Sequence, residues 1–335
     1  MNIAINGFGR IGRAAFKILS EKKGVNIVAV NDLGSIDNLA YLLKYDSVYG
    51  VWDKKISFEK GFLKVENKKI AILSERDPKR LPWKKMKVDV VIEATGVFTN
   101  KDAMTLHKKA GAKKVILSAP AKGEGVATVV KGVNDDEHAG KALVSNASCT
   151  TNCVAPVTDV IDQAFGIERA GLTTIHAYTS GQGLVDGPTP PRKSDFRRGR
   201  ASAVNMIPTT TGAAKATTLA IPKLAGLFDG IAIRVPVTAG SLSDMTFLVN
   251  KQTTVEKVNA ALKKAARGKL KGILECTEDQ LVSSDIVGTT ASAIVDLAFT
   301  KVIGGNFVKI LAWYDNEWAY ANRLAEMTVK IGKTK

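Results

Sequence analysis

The sequence contains few of the residues that define several common classes of protein. It has three cysteines among 335 residues, Cys149, Cys153 and Cys276, which are too few for a disulfide scaffold and are typical of a reducing compartment. No run of about 18 apolar residues could cross a bilayer, and the first residues lack the cationic and apolar segments of a secretory leader. We therefore expect a cytoplasmic protein that does not associate with membranes.

Histidine is also scarce, since the chain offers His107, His138 and His176 and no others. His107 and His138 stand among lysines and acids, and we expect both to be exposed. His176 lies in the strand-like segment 171–178, and is the candidate for a catalytic base. We expect no metal site.

The formal net charge is +16, which would suit a protein that binds nucleic acid. The positive residues are mostly spread along the chain as pairs, however, and no helix-turn-helix, zinc-finger or RNP pattern accompanies them. A denser basic run of Arg192, Lys193, Arg197, Arg198 and Arg200 lies in a long polar loop, residues 179–203. We expect the positive field to attract small phosphorylated substrates, and RNA binding is left open only as a secondary role.

The first 24 residues read as a strand, a glycine turn and a helix. A buried strand over 2–6 is followed at once by Gly7, Gly9 and Gly12, and apolar residues at helical spacing then lead to Gly24. In this context the glycines indicate a dinucleotide-binding turn: Gly7 permits the turn, Gly9 lets the backbone approach a pyrophosphate, and Gly12 allows helix and strand to pack closely.

Further strands alternate with helices up to about residue 145, which predicts a mainly parallel sheet. The second strand ends at Asp32, where a carboxylate would accept hydrogen bonds from an adenine ribose and would repel a 2′-phosphate, favouring NAD over NADP. Ligands of such sheets bind beyond the carboxyl ends of the strands, so Thr95, Gly96 and Ser118 should line the cofactor crevice. Residues 56–73 are expected to form a small antiparallel insertion.

The segment 145–153 places Cys149 between a strand and the start of a helix. The N–H groups and dipole of a helix start favour thiolate over thiol. Lowering a thiol pKa from about 8.5 to about 6 takes roughly 3.4 kcal/mol, whereas a helix terminus supplies at most about 2 kcal/mol. We therefore expect a cationic partner, for which His176 is the candidate.

The second half contains several strands with few helices between them, which predicts an antiparallel sheet with helices on one face. One helix is expected from Val255, opened by Thr253 and Glu256 at capping-box spacing. A final helix from about Asn316 could return to the first domain. The predicted fold is an α/β Rossmann dinucleotide-binding domain plus an α+β catalytic domain with a mainly antiparallel sheet.

Taken together, the motifs resemble those of phosphorylating glyceraldehyde-3-phosphate dehydrogenases, in the same order and over essentially the whole chain. The resemblance implies an NAD-binding domain over 1–148, a catalytic domain over 149–315, a C-terminal helix over about 316–335 packed on the first domain, and a homotetramer. The motifs are Asn6–Arg13, Ala147–Cys153, His176, Pro208–Lys215, Arg234–Pro236 and Trp313–Trp318.

The resemblance also implies a role for each site residue. Cys149 would be the nucleophile and His176 its base, in the oxidative phosphorylation of D-glyceraldehyde 3-phosphate by NAD and inorganic phosphate. The loop 179–203 would lie near a neighbouring subunit's cofactor, and Pro188 stands where NAD-preferring members carry proline. The implied substrate and phosphate ligands are Ser148, Thr150, Thr179, Thr211, Gly212 and Arg234; the implied cofactor ligands are Gly7, Gly9, Arg10, Ile11, Gly12, Asp32, Thr95, Gly96, Ser118 and Asn316.

Two other functions fit parts of the sequence. An erythrose-4-phosphate dehydrogenase would share the fold, the cysteine, the histidine and the cofactor, and spacing alone barely separates it from the first reading. A basic NAD-binding regulatory or nucleic-acid-binding protein without turnover would not need both Cys149 and His176.

Overall fold

The computed structural model describes residues 1–189 and 195–334. Arg192 and Lys193 of the basic run therefore lie outside the described residues. The chain forms two units, one comprising Met1–Val129, Asn134–Ala147 and the residues from Ala321 onward, the other Val130–Val133 and Ser148–Tyr320.

The first unit is built on strands that alternate with helices. Its elements in chain order are β1 (Asn2–Asn6), α1 (Arg10–Ser20), β2 (Asn26–Asn31), α2 (Ile36–Lys44), β3 (Tyr45–Asp46), β4 (Gly50–Val51), β5 (Ile56–Glu59), β6 (Phe62–Val65), β7 (Lys68–Leu73), a 3-10 helix (Pro78–Arg80), β8 (Val90–Glu93), α3 (Lys101–Lys109), β9 (Lys114–Leu117), β10 (Ala127–Thr128), α4 (Asp135–His138) and β11 (Leu143–Ser145).

The main sheet of this unit has nine strands within the described residues, in the order β10-β11-β9-β8-β1-β2-β7-β6-β5. Strands β2, β1, β8, β9, β11 and β10 pair in parallel, because helical crossovers return the chain to the same edge each time. The predicted Rossmann-type architecture is thereby confirmed. The C-terminal part of the last helix, α8 (Trp318–Lys333), contributes Leu324, Met327 and Ile331 to the same core as Ile3 and Ile5.

One sequence-based expectation for this unit was wrong and another holds in part. Residues 56–73 do form an antiparallel run, since β5 pairs with β6 and β6 with β7, but β7 also pairs parallel with β2, so the run extends the main sheet. His107 is fully buried rather than exposed, since it lies one turn after Met104 on the inner face of α3 and hydrogen-bonds with Glu93 and Trp83. His138 is half-buried.

The second unit places helices against a seven-stranded sheet within the described residues, in the order β13-β14-β12-β15-β18-β17-β16. Most neighbouring strands are antiparallel, whereas β12–β14 and β16–β17 are parallel. Its elements are α5 (Cys149–Phe165), β12 (Ile167–Ala177), β13 (Ile207–Thr210), α6 (Ala213–Ala220), β14 (Phe228–Val235), β15 (Ser241–Val249), α7 (Val255–Arg267), β16 (Leu274–Thr277), β17 (Ala293–Ile303) and β18 (Phe307–Tyr314), with 3-10 helices at Phe196–Gly199, Pro222–Leu224 and Ser283–Ile286.

Helix α7 begins at Val255, as predicted, but its capping residue lies one position later than the capping-box spacing indicated. Thr254, not Thr253, is the capping residue, and its side chain accepts a hydrogen bond from the Lys257 N–H. Thr253 is buried instead, and its N–H donates to the Gly305 carbonyl at 2.7 Å. Two adjacent threonines look equivalent in the sequence, so only packing decides which of them caps the helix.

Substitutions in the glycine turn between β1 and α1 test how closely the turn packs against the start of α1. A Cβ on Gly12 would lie 2.1 Å from the Gly7 carbonyl oxygen, whereas a Cβ on Gly9 would have no atom within 4 Å. We expect Gly12→Ala to lower the free energy of unfolding by about 1–3 kcal/mol through overpacking. Gly9→Ala, the control, should cost less than about 1 kcal/mol. Urea unfolding of both variants without ligand measures the difference, and equal losses would contradict this account.

Candidate active site

Cys149 is the first residue of α5, where backbone N–H groups are exposed. Ser148 caps the helix, its Oγ accepting a hydrogen bond from the Thr151 N–H at 3.0 Å. The preceding Ala147 has a φ of +54°, a left-handed conformation that costs a non-glycine residue roughly 1–2 kcal/mol. The chain therefore enters α5 through a strained residue, which is a feature often found at functional sites.

His176 reaches Cys149 from strand β12. Its Nε2 lies 3.4 Å from the Cys149 Sγ. In the parallel pairing of β12 with β14, His176 stands opposite Arg234, and the Arg234 Nη1 lies 2.7 Å from His176 Nδ1. The structure thus brings together three residues that are separated by 27 and 58 positions in the chain.

The tautomer of His176 decides what the ring can do. Its Nδ1 lies 2.7 Å from the carbonyl oxygen of Ala177, and Arg234 Nη1 donates to the same oxygen at 2.9 Å. Arg234 Nη1 can only donate, so it competes with that carbonyl for Nδ1. In the tautomer whose Nδ1 proton is donated to the carbonyl, Nε2 presents its lone pair to the sulfur, and the imidazole is a base for the thiol proton.

The pKa values differ from the sequence-based expectation of an imidazolium beside a thiolate. Burial, and then the charge of Arg234, lower the pKa of His176 to about 3, so the ring is neutral at pH 7. Burial raises the pKa of the Cys149 thiol, while the Arg234 charge and hydrogen bonds from Thr150 act in the opposite direction. The cation beside the sulfur is therefore Arg234, and the histidine is neutral.

Arg198 is a part of the site that the sequence indicated only as one member of a basic run. Its Nε donates to the Thr209 Oγ1 at 2.8 Å, and its charge contributes to lowering the pKa of Arg234 after the larger effect of burial. Two guanidinium charges repel each other unless an anion lies near them, and Asp195 partly meets this need because its Oδ2 lies 3.9 Å from the Arg198 Nε. The pair is suited to bind a phosphate group.

Tyr314 is a second residue that the motifs did not single out as a site residue. Its hydroxyl lies 2.9 Å from Thr150 Oγ1 and 2.8 Å from Thr174 Oγ1, and its ring packs edge-on against His176. Burial raises its pKa. A neutral hydroxyl that bridges α5 and β12 fixes the Cys149 sulfur and the His176 imidazole relative to each other. Only the pairing of β15 with β18 could have indicated that Tyr314 belongs to the site.

Asn316 is linked through Ser241 to Ala177, the residue whose carbonyl oxygen contacts His176. The Ala177 N–H donates to Ser241 Oγ at 3.1 Å, and Ser241 Oγ donates to Asn316 Oδ1 at 2.9 Å. Because a backbone N–H can only donate, the Ser241 proton is free for Asn316. The link therefore fixes which end of the amide faces Ser241 and points the amide nitrogen the other way.

The remaining predicted phosphate ligands lie at the start of another helix and beside the base. Thr211 and Gly212 immediately precede α6, and the Thr211 Oγ1 accepts a hydrogen bond from the Ala213 N–H. Gly212 is exposed and is the capping residue of a helix without an acidic first turn. Thr179 follows β12 and is half-buried, with its N–H donating to Gln182 Oε1 at 3.3 Å.

The dinucleotide residues are placed by the first unit. Gly7 has a φ of +94°, and a Cβ there would lie 2.6 Å from the backbone of Ala94 and Thr95. Gly9 precedes α1 without any side-chain cap, and the open space around it leaves room for a ligand at the helix N-terminus. Asp32 Oδ2 accepts the Phe8 N–H at 2.7 Å, which ties the end of β2 to the glycine turn.

The other predicted cofactor residues occupy strand ends or the first turn of α1. Thr95 and Gly96 follow β8, with Gly96 exposed at a φ of +72°, and Ser118 follows β9. Ile11 is half-buried. The Arg10 guanidinium binds Asp46 at 2.6 Å and lies over the Tyr49 ring.

The described part of the chain contains no group of three or more His, Cys, Asp or Glu residues that could hold a metal ion. Within the same residues, no helix has both the length and the apolar character that a membrane crossing requires.

Comparison with known proteins assigns both units to one family. Residues 1–101 match the NAD binding domain of glyceraldehyde 3-phosphate dehydrogenase, and residues 148–316 match its C-terminal domain. Proteins named glyceraldehyde-3-phosphate dehydrogenase are similar over nearly the whole chain. That of Streptomyces coelicolor is 52% identical (99% of this chain, 98% of the relative), that of Thermotoga maritima 51% (97% of each), and that of Geobacillus stearothermophilus 48% (99% and 98%).

The charge of Arg234 gives a pH-dependent prediction. Alkylation of Cys149 by iodoacetamide should accelerate as pH rises, because the thiolate is the nucleophile. Arg234→Gln removes the nearby cation and should move the midpoint of this rise to higher pH by about one unit. Alkylation rates from pH 5 to 10 measure both midpoints.

The control for this experiment is Cys149→Ser, which leaves Cys153 and Cys276. Burial raises the pKa of Cys153 to about 12 and that of Cys276 to about 11, so little alkylation should remain. A midpoint that stays the same or falls in Arg234→Gln would show that the guanidinium does not stabilise the thiolate.

Proposed function

The chain belongs to the glyceraldehyde-3-phosphate dehydrogenase family, and on this premise we propose how its residues catalyse the family's reaction. That reaction is the NAD-dependent oxidation and phosphorylation of D-glyceraldehyde 3-phosphate to 1,3-bisphosphoglycerate. The observation that carries the proposal is the 3.4 Å approach of His176 Nε2 to Cys149 Sγ at the start of α5.

The first unit offers a cradle for NAD. The open space at Gly9 and the uncapped start of α1 suit a pyrophosphate, with Gly7, Ile11, Gly12 and the Arg10 backbone forming the turn. The Arg10 side chain is less suited to this role because Asp46 binds it. Asp32 would hold the adenine ribose, and Thr95, Gly96 and Ser118 would line the crevice.

In the oxidation, His176 accepts the proton of the Cys149 thiol while the sulfur adds to the aldehyde carbon, and then passes that proton to the aldehyde oxygen. His176 then removes the hydroxyl proton of the resulting thiohemiacetal, and a thioester remains on Cys149. NAD supplies the hydride acceptor. Asn316, held by Ser241, would orient the carboxamide of its nicotinamide.

In the phosphorylation, inorganic phosphate attacks the thioester and Cys149 leaves as a thiolate. Ser148, Thr150, Thr211 and Gly212 would hold this phosphate at the starts of α5 and α6, whereas Thr179 and Arg234 would hold the C3 phosphate of the substrate. Arg198 adds a second cation beside Arg234. Helix N-termini and guanidinium groups stabilise the anionic charge that develops in both steps.

We extend the proposal to organisation and location. Residues 1–148 with 316–335 would be the cofactor domain and residues 149–315 the catalytic domain. Large exposed apolar side chains on the second sheet, such as Ile231, Phe299 and Phe307, favour burial against another copy and support a homotetramer. Three free cysteines suit the cytoplasm, and nucleic acid would be at most a secondary partner.

The direct test is NADH formation from glyceraldehyde 3-phosphate, with phosphate omitted in a parallel run. Sustained turnover should require phosphate, because the thioester otherwise accumulates. An erythrose-4-phosphate dehydrogenase is not favoured, since the relatives reported above are all named for glyceraldehyde 3-phosphate. A strong preference for erythrose 4-phosphate together with indifference to phosphate would overturn the assignment.

Replacing His176, the proposed base, should slow the reaction without unfolding the protein. We expect His176→Asn to retain the melting temperature within a few degrees and to slow acylation by about 10² to 10⁴, the contribution of a positioned acid–base group. Rapid-mixing measurements of the first NADH turnover give the acylation rate. An unchanged burst rate would remove His176 from the proton transfer.

Removing the Ser241 hydroxyl should affect cofactor binding more than thiol chemistry. Ser241→Ala frees the Asn316 amide to rotate, and losing one hydrogen bond of about 0.5–1.5 kcal/mol should raise the KM for NAD by about three- to tenfold. Ser243→Ala is a matched control, because Ser243 is equally buried on β15. Equal effects of both variants on KM would contradict a specific role for Ser241.

A further inference from the structure

A row of buried polar side chains crosses the carboxyl ends of three neighbouring strands in the first unit. Asn31, Asn6 and Glu93 are the last residues of β2, β1 and β8, and they stand side by side in the strand register. Their exposed fractions are 5%, 1% and 0%. These residues are the last before Asp32, Gly7 and the loop to Thr95, so the row lies directly beneath the predicted cofactor residues.

His107 and Trp83, both fully buried, extend the row and determine which of its atoms donate and which accept hydrogen bonds. The Trp83 indole N–H donates to His107 Nδ1 at 3.0 Å, and an indole can only donate. The His107 proton must therefore be on Nε2, which donates to Glu93 Oε2 at 3.0 Å. The two hydrogen bonds that connect Trp83 to Glu93 through His107 therefore each have a fixed donor and a fixed acceptor.

Glu93 connects these hydrogen bonds to Asn6 and to the backbone of Thr95. Its Oε2 also accepts from Asn6 Nδ2 at 2.6 Å, and its Oε1 accepts from both the N–H and the hydroxyl of Thr95. Asn6 Oδ1 in turn accepts from Asn31 Nδ2 at 2.7 Å. One carboxylate thus holds Thr95 on one side and the residue before Gly7 on the other.

Stability alone is a weak explanation for this arrangement. Burying charged and polar groups is expensive, and replacing such networks with well-packed apolar residues is often neutral or stabilising. A fully bonded network does, however, hold one geometry rigidly. The Gly7 turn also packs against the backbone of Ala94 and Thr95, so a shift of Thr95 would move the turn.

We propose that His107 and Glu93 are positioning residues that hold Thr95 and the Gly7 turn in the geometry that binds NAD. This inference rests on the proposed function, because it assigns NAD to that turn. Neither residue needs to touch the cofactor, since both act through the backbone at the ends of β1 and β8.

The test compares substitutions on α3. His107→Leu removes the donor to Glu93, and His107→Gln restores an N–H near the position of Nε2. Met104→Ala, one turn earlier and equally buried, weakens the packing of the same helix without removing a polar group. Calorimetric titration gives the Kd for NAD of each variant, with the alkylation rate of Cys149 and the melting temperature as further readouts.

We expect His107→Leu to raise the Kd for NAD about tenfold, and His107→Gln to stay within about threefold of wild type. Met104→Ala should lower the melting temperature and leave the Kd within about twofold. Cys149 alkylation should be unchanged in all three. If His107→Leu does not fold, Trp83→Phe replaces it, since it removes the N–H that fixes His107, and a severalfold rise in Kd is expected.

Two results would overturn the inference. An unchanged Kd in His107→Leu, or in Trp83→Phe where that variant replaces it, would mean that the row does not position the NAD site. An equal rise in Met104→Ala would mean that helix packing alone is responsible. Failure of the wild-type protein to bind NAD would instead refute the proposed function, so the two failures are distinguishable.

Discussion

The catalytic unit depends on a neutral imidazole held against a thiol inside the protein, with one guanidinium behind it. Burial sets the protonation of both groups, because it disfavours the charged form of each. It keeps His176 able to accept a proton and raises the pKa of Cys149. Arg234 is the compensating charge, and the register of β12 with β14 places it there. A shift of one residue in that pairing would turn either side chain to the opposite face of the sheet.

The helix starts assigned to phosphate groups share an electrostatic feature. Helices α1, α5 and α6, like α8, have no acidic residue in the first turn, whereas α2, α3 and α7 carry Asp37, Asp102 and Glu256 there. An acidic first turn stabilises a helix by about 0.3–1 kcal/mol, and it would also repel a bound phosphate. The three helices lack that stabilisation where an anion is expected, which is consistent with a reaction that handles a pyrophosphate at α1 and inorganic phosphate at α5 and α6.

The sequence predicted those features that local patterns determine. The turn around Gly7 and the start of α5 at Cys149 follow from residues adjacent in the chain, and the structure places both as predicted. His107 was misjudged because its neighbours Lys108 and Lys109 are charged, while the residue that sets its environment, Glu93, is 14 positions away. Arg234 as the cation beside the sulfur follows only from strand pairing, which no local pattern specifies.

The same reasoning explains why some buried polar groups lie at strand ends in both units. A strand interior is fixed by its ladder of hydrogen bonds, but the residues just beyond the strand lose that ladder and would otherwise move. In the first unit Glu93 holds this backbone through Thr95; in the second, Ser241 accepts the N–H of Ala177. Each unsatisfied member would cost about 1–3 kcal/mol. These polar groups are therefore buried, at a cost in folding free energy, where a ligand or a base needs a fixed position. The apolar core of each unit supplies the folding free energy that offsets this cost.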